Sequence, residues 1–150
     1  MALFQPTREE VRRFFCDAWA RYKAGEAASP LEQAAIACIL EHPEYQDLLA
    51  DVERAQESEY TVEGGRENPF LHLSMHLSLD EQFAIDQPHG VRALLEALEH
   101  RRGDRHAAMH EAMECLGEIV WRAQRGSLPA DVQETNRLFL ECLQRRLGTS

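Results

Sequence analysis

The sequence predicts an all-α protein, a single-domain helical bundle of six or seven helices. Apolar residues recur at spacings of three and four, as they do on one face of an α-helix, and nowhere show the alternation of a β-strand. Residues that cap helices precede these segments, and prolines and glycines stand at their borders. A length of 150 residues fits one domain, which we expect to span residues 1–150.

The first two helices have clear start signals. Thr7-Arg8-Glu9-Glu10 is a capping box that starts the first helix, and Gly25 ends it. Ser29-Pro30-Leu31-Glu32 repeats the pattern with proline at the first helical position. The second helix should end at His42, because Pro43 disfavours a helical conformation in the residue before it.

The middle of the chain is predicted to hold two more helices and the longest loop. One helix is expected from about Pro43 to Ser58, and residues 59–67, which include two adjacent glycines, should form the loop. The next helix should start at Asn68-Pro69 and continue to about Ile85.

Three helices are predicted in the last part of the chain. After the break at Asp86-Gln87-Pro88, one helix should span residues 88–100. Gly103-Asp104 is a stop followed by a cap, so the longest helix should span residues 105–125. The last amphipathic helix is expected over residues 129–147.

The charge balance argues against binding to nucleic acid. The chain has 16 basic and 26 acidic residues, a formal net charge of −10, and a surface of that sign repels phosphate backbones. The pairs Arg101–Arg102 and Arg145–Arg146 are short, and we interpret them as helix C-terminal charges. No apolar run approaches the ~20 residues needed to cross a bilayer. We therefore expect neither nucleic acid nor membrane as a partner, whereas a homodimer is allowed.

The four cysteines are predicted to be reduced thiols. Cys16, Cys38, Cys115 and Cys142 form no CxxC pair and have no regular spacing, which disfavours a zinc–thiolate site. We interpret them as mostly buried free thiols and expect a cytoplasmic protein.

Two HxxxH motifs are the most informative feature of the sequence. HLSMH places His72 and His76 one helical turn apart, and HAAMH does the same for His106 and His110, with Glu114 a further turn along. Side chains four residues apart on a helix point to the same side, so each pair can offer two nitrogen ligands to one metal ion. The candidate metal ligands are therefore these four histidines and Glu114.

Chance and a structural role are the two alternatives to a metal site. Seven histidines placed at random in this chain give about 0.3 such pairs, and two or more pairs about 3% of the time. A short helix between the two histidine helices would let them run parallel and meet at similar heights in a bundle. The alternative is a set of partly buried histidines that bond to carboxylates or carbonyls. His42, His89 and His100 lie at predicted helix ends and are interpreted as capping or exposed residues.

Four segments resemble a known protein family. They are VRRFFCDAW (11–19), EHPEY (41–45), ENPFLHLSMHLSLDEQFAIDQPHGVR (67–92) and HAAMHEAMECLGEIVWRAQR (106–125). Together they resemble the bacterial family catalogued as domain of unknown function 1841. The resemblance implies a helical fold but does not indicate which activity, if any, the protein has. The chain departs from this family at Gln46, where related sequences often have histidine.

The favoured function is binding of a divalent transition metal, Zn, Fe, Ni or Cu, with hydrolytic or O₂/redox chemistry left open. HEAME lacks the second histidine of a zinc protease motif, and no nucleophile elbow or phosphate loop occurs, so no enzyme class is assigned. The alternative is a non-catalytic interaction or scaffold protein whose histidines belong to the core. Ligation of haem by two histidines is a third reading.

Overall fold

The computed structural model of the chain describes residues 7–60, 68–127 and 131–148. Over these ranges the chain forms eight α-helices, one short 3₁₀ helix and no strand, which confirms the all-α prediction. In chain order the elements are α1 (Arg8–Ala24), α2 (Pro30–Leu40), the 3₁₀ helix (Pro43–Tyr45), α3 (Gln46–Leu49), α4 (Val52–Glu57), α5 (Pro69–Ile85), α6 (Val91–Arg102), α7 (Arg105–Gln124) and α8 (Val132–Leu147).

The predicted start signals of the first two helices are confirmed. The Thr7 hydroxyl accepts the Glu10 amide at 3.1 Å, and the Glu10 carboxylate accepts the Thr7 amide at 3.0 Å. Ser29 and Glu32 form the same reciprocal pair. Each pair satisfies two amides that a helix N-terminus leaves without a partner. Gly25 ends α1 in the left-handed conformation, φ 72°, where a side chain would be strained.

The single helix predicted from Pro43 to Ser58 is wrong, because the chain breaks this segment into three short helices. Asp51 is extended, with φ −123° and ψ 94°, and its carboxylate accepts the Arg54 amide at 3.1 Å. An aspartate that caps the next turn in this way competes with helix continuation. Of the loop predicted over residues 59–67, residues 61–67 lie outside the described ranges.

Two of the later helices, α6 and α8, begin slightly downstream of their predicted starts, whereas α7 begins at Arg105 as predicted. α6 begins at Val91 rather than at Pro88. The reason is a turn in which the Asp86 carboxylate accepts the amides of Gly90 at 3.1 Å and Arg92 at 3.0 Å. α8 begins at Val132 after the capping residue Asp131, and residues 128–130 lie outside the described part of the chain.

The chain divides into two compact units, residues 1–77 and 78–150, and each is considered by itself. The single domain expected over residues 1–150 stays a prediction. Buried side chains of α1 to α5 form the core of the first unit: Phe15, Cys16, Ala18, Trp19, Ala35, Ile36, Cys38, Ile39, Leu48, Leu49, Ala55, Phe70 and Leu73. Buried side chains of the second unit are Leu79, Val91, Leu95, Leu98, Ala108, Met109, Ala112, Met113, Cys115, Phe139, Cys142 and Leu143.

A disulfide corrects the prediction of four reduced cysteines. Cys115 on α7 and Cys142 on α8 are bonded, with their Cα atoms 5.8 Å apart. Cys16 and Cys38 are buried free thiols, as predicted. Spacing in the sequence could not reveal the bond, because it depends on how α7 and α8 pack.

Among the described helices, none combines the length and apolar character that crossing a bilayer requires.

Arg102, at the end of α6, links the three long helices of the second unit. Its guanidinium donates to both carboxylate oxygens of Glu111 on α7, at 2.6 and 2.7 Å, and to the Arg146 carbonyl of α8 at 3.0 Å. Such a two-point contact is the strongest arginine–carboxylate geometry. The hydrogen bonds from Arg102 hold the pKa of Glu111 below its usual range.

This contact predicts an acid-sensitive contribution to stability. Because the pKa of Glu111 is lower in the folded state, the pair stabilises the fold above the carboxyl's ordinary pKa of about 4.3 and loses this effect as pH falls through the folded value. Glu111→Gln should lower Tm by a few degrees at neutral pH and by progressively less in acid. Thermal unfolding across pH measures this, with Arg101→Gln on the exposed neighbour as control. An equal loss at all pH values would contradict it.

Candidate metal centre

Three histidines of the first unit lie together. His42 follows α2 and precedes the 3₁₀ helix, whereas His72 and His76 lie one turn apart on α5. Each offers one ring nitrogen, and these nitrogens all lie within 4.8 Å of one another. Nitrogen atoms at this spacing could hold a metal ion after small side-chain adjustments. We call these three residues the histidine cluster.

The backbone fixes the orientation of His42. The chain has φ −129° and ψ 69° at this residue, outside the helical region that Pro43 disfavours in the residue before it. The ring is 2% exposed, and its Nδ1 lies 2.7 Å from the carbonyl oxygen of Cys38. A carbonyl can only accept, so Nδ1 carries a proton, and a neutral His42 presents its lone pair at Nε2. This carbonyl contact is the usual second interaction of a metal-binding histidine.

The Nε2 atoms of His42 and His72 are 3.0 Å apart. In the absence of an ion, one of them must donate a proton to the other. Ligand nitrogens of a tetrahedral zinc ion lie about 3.3 Å apart, given Zn–N distances of about 2.0–2.1 Å. The observed separation is therefore close to that of two nitrogens that share one ion.

The cluster is tightly packed and largely shielded from water. His76 is 3% exposed, and the three ring centroids are 4.8 to 5.0 Å apart. The Tyr45 ring stacks on His42, with an interplanar angle of 5° and a centroid distance of 5.3 Å. Because stacking and the Cys38 carbonyl both hold the His42 ring, Nε2 is preorganised.

The interpretation of His42 as a capping or exposed residue is correct for the cap and wrong for the exposure. Its Nδ1 donates to the Cys38 carbonyl in the last turn of α2, and its side chain is buried. A signal for this burial was present in the sequence, because Ala35, Cys38 and Ile39, all buried, form a helical stripe that His42 continues. The adjacent proline favoured a helix end, and the helix does end there, but the ring still continues the buried stripe.

The second HxxxH motif lies on α7, in the second unit. The rings of His106 and His110 are half-buried, and their centroids are 4.0 Å apart. The predicted pairing of these two side chains on one helix face is therefore observed. Glu114 lies on the same helix, but its side chain is 61% exposed and pairs with Arg146, with Oε1 and Nη1 2.6 Å apart.

The remaining two histidines lie at the surface, as predicted. The His89 side chain is 94% exposed and lies 3.4 Å from the Asp86 carboxylate. His100 is exposed in the last turn of α6. Neither has the burial that characterises the histidine cluster.

A family comparison places these observations in context. The model of the family described as "Domain of unknown function (DUF1841)" matches residues 7–145, nearly the whole chain. This match includes all three residues of the histidine cluster and both HxxxH motifs. Comparisons with curated proteins and with solved structures give no significant match. The chain therefore belongs to the DUF1841 family.

Proposed function

We propose that the protein binds one divalent transition-metal ion, Zn, Fe, Ni or Cu, through His42, His72 and His76 of the first unit. A fourth nitrogen is proposed from the second HxxxH motif, on the ground of the sequence alone. The observation that carries this proposal is the histidine cluster, in which three ring nitrogens lie within 4.8 Å of one another. Imidazole nitrogen suits all four of these metals. The carbonyl contact that orients His42 supports the same assignment.

His110 is proposed as the fourth ligand in preference to His106. His106 is the second residue of α7, in the first helical turn, where the helix dipole gives a partial positive charge. A metal cation is disfavoured there, and the effect fades within one turn, before His110. We propose that His106 packs against His110 and orients its ring.

Glu114 is a candidate for a further ligand, in addition to the histidine nitrogens. It would have to leave Arg146 in order to bind an ion, because the two side chains are 2.6 Å apart. A bound ion could supply Lewis acidity or redox chemistry. Four histidines would saturate a tetrahedral ion, which favours a structural role over the hydrolytic or O₂ chemistry that an open position permits.

The second candidate function is a non-catalytic scaffold with structural core histidines. The observation in its favour is that His42 has partners without an ion, the Cys38 carbonyl and His72. A buried polar side chain with satisfied hydrogen bonds can stabilise a fold by itself. If the protein is such a scaffold, removal of metal should not lower its stability.

Metal content separates the two functions. Protein purified without a His-tag should contain about one equivalent of metal, and a chelator should lower its Tm, because an ion bound only to the folded state stabilises it. His76→Ala and His110→Ala should each remove the ion. Less than about a tenth of an equivalent, unchanged in both variants, would contradict the metal site and favour the scaffold.

The proposed setting is the cytoplasm, without nucleic acid or membrane as partner and with a homodimer as the allowed assembly. The net charge of −10 supports the exclusion of nucleic acid. Because the cytoplasm is normally reducing, the bond between Cys115 and Cys142 would form there only when conditions become oxidising.

A further inference from the structure

A polar pocket of about 590 Å³ lies in the first unit. The residues around it come from α1, from the end of α4 and from the start of α5. Cationic and neutral polar groups dominate its lining: Arg8, Arg12, Tyr60, Asn68 and Ser74, with Glu59 as the one acidic member among the described residues. None of these residues belongs to the histidine cluster.

Arg12 is the most unusual residue of this pocket, because it is a buried arginine. Its side chain is 3% exposed, and its guanidinium lies 4.8 Å from the centre of the Phe70 ring and 5.7 Å from that of Tyr60. Its Nη1 donates to the carbonyl oxygens of Ala55 at 2.7 Å and Ser58 at 2.6 Å. These contacts hold the guanidinium rigidly at the end of α4.

Arg8, one turn earlier on α1, brings a second positive charge to the same place. It is exposed, and its Nη2 donates to the same Ser58 carbonyl at 2.7 Å. Burial, and then the charge of Arg8, hold the pKa of Arg12 below its ordinary value. Two guanidiniums that share one neutral acceptor repel each other.

The described contacts of Arg8 and Arg12 are made to backbone carbonyls and to aromatic rings. Glu59 also lies on the pocket and offsets part of the charge of Arg12. A buried charge that is only partly offset destabilises a protein. An anion that enters the pocket from solvent would add to this compensation.

The start of α5 adds to the attraction for an anion. Asn68 and Leu71 line the pocket, and the Asn68 side chain accepts the amides of Phe70 at 3.0 Å and Leu71 at 3.2 Å. This cap uses two of the free amides, so the 17-residue helix contributes mainly through the positive end of its dipole. Ser74, one turn further, lines the same pocket.

We propose that this pocket binds a small molecule that carries a phosphate group, with Arg8 as the exposed contact and Arg12 as the buried charge behind it. A guanidinium presents paired N–H donors whose spacing matches two phosphate oxygens. Phosphate, with up to two negative charges, compensates both arginines, whereas a single carboxylate compensates one. The pocket volume leaves room for more than the phosphate itself.

Titration calorimetry with inorganic phosphate, at constant pH and ionic strength, tests this site. Arg8→Gln should weaken phosphate binding about 10- to 100-fold, because it removes a charge-assisted contact without disturbing the core. Arg13→Gln is the matched control, since Arg13 lies on the same helix, is exposed and does not line the pocket. Its affinity for phosphate should equal that of the unmodified protein.

Two further measurements identify the class of ligand and test whether phosphate binds at the metal centre instead. Glycerol phosphate should bind at least as tightly as inorganic phosphate, and acetate at least about tenfold more weakly. His76→Ala should bind phosphate normally. Equal binding in Arg8→Gln and Arg13→Gln, equal binding of acetate, or loss of binding only in His76→Ala would each overturn the proposed site. The last result would place the anion on the metal.

Discussion

His42→Ala should abolish metal binding, although this histidine lies outside both HxxxH motifs. The ring provides a preoriented Nε2, held through Nδ1 by the Cys38 carbonyl, at 3.0 Å from the Nε2 of His72. Loss of an outer contact to a metal ligand already weakens affinity about 10- to 100-fold. Loss of the ligand itself should therefore weaken it by about 100-fold or more. Elemental analysis and competition with a chromogenic chelator measure this.

Two control variants separate this ligand set from the one that the sequence motifs predict. Glu114→Ala should keep the ion, because Glu114 is exposed and paired with Arg146. His89→Ala removes a histidine that is almost fully exposed and should have no effect. If Glu114→Ala loses the ion while His42→Ala retains it, the assignment of His42 is wrong.

Destabilisation of the fold by His42→Ala must be distinguished from loss of a ligand. The variant opens a cavity beside Tyr45 and removes one of the hydrogen bonds to the Cys38 carbonyl, so it should unfold more easily in any case. Measuring Tm with and without chelator, for both proteins, isolates the metal effect. The chelator should lower the Tm of the unmodified protein and leave that of His42→Ala unchanged. A chelator effect of equal size in both would contradict ligation by His42.

The helices were predictable because their signals are local. The reciprocal caps at Thr7 and Ser29 act within one helical turn, and they were confirmed at the predicted residues. The break at Asp51 was missed because its neighbours keep a helical spacing of apolar residues. An aspartate can either lie within a helix or cap the start of the next one, and the packing of the surrounding residues decides which of the two occurs.

The candidate site was only partly predictable, because spacing along a helix reveals ligands from one element at a time. His72 and His76 were found by their separation of four residues. His42 is 30 residues before His72 in the sequence and lies beside it only because the first unit folds. Its neighbouring proline indicated a chain turn, which was correct, but gave no information on which way the ring points.

The disulfide could not be predicted for the same reason, because it joins cysteines of two different helices. Pairing of Cys115 with Cys142 requires α7 and α8 to pack with their Cα atoms 5.8 Å apart. No local pattern encodes this distance. A cytoplasmic location favours free thiols, but that location is a property of the cell and not of the chain.

Reduction of the disulfide should destabilise the protein strongly. The bond closes a loop with a sequence separation of 27 residues, for which the loss of loop-closure entropy in the unfolded chain corresponds to about 3.5 kcal/mol. For a chain of this size, that difference lowers Tm by roughly 10 °C. Cys142→Ala should reproduce the loss, and thermal unfolding with and without a reducing agent measures both.

The matched control for this prediction lies in the other two cysteines. Cys16 and Cys38 are buried and lie outside the disulfide, so a reducing agent has no bond to cleave there. Burial also raises the pKa of the Cys16 thiol to about 11. Cys38→Ala should therefore keep the full response to reduction, whereas Cys142→Ala should show none. Thiol titration in denaturant completes the test: two reactive thiols before reduction and four after it are expected. Four thiols before reduction would show that α8 is held on α7 by packing alone, through side chains such as Phe139 and Leu143, and the expected loss of stability would then be absent.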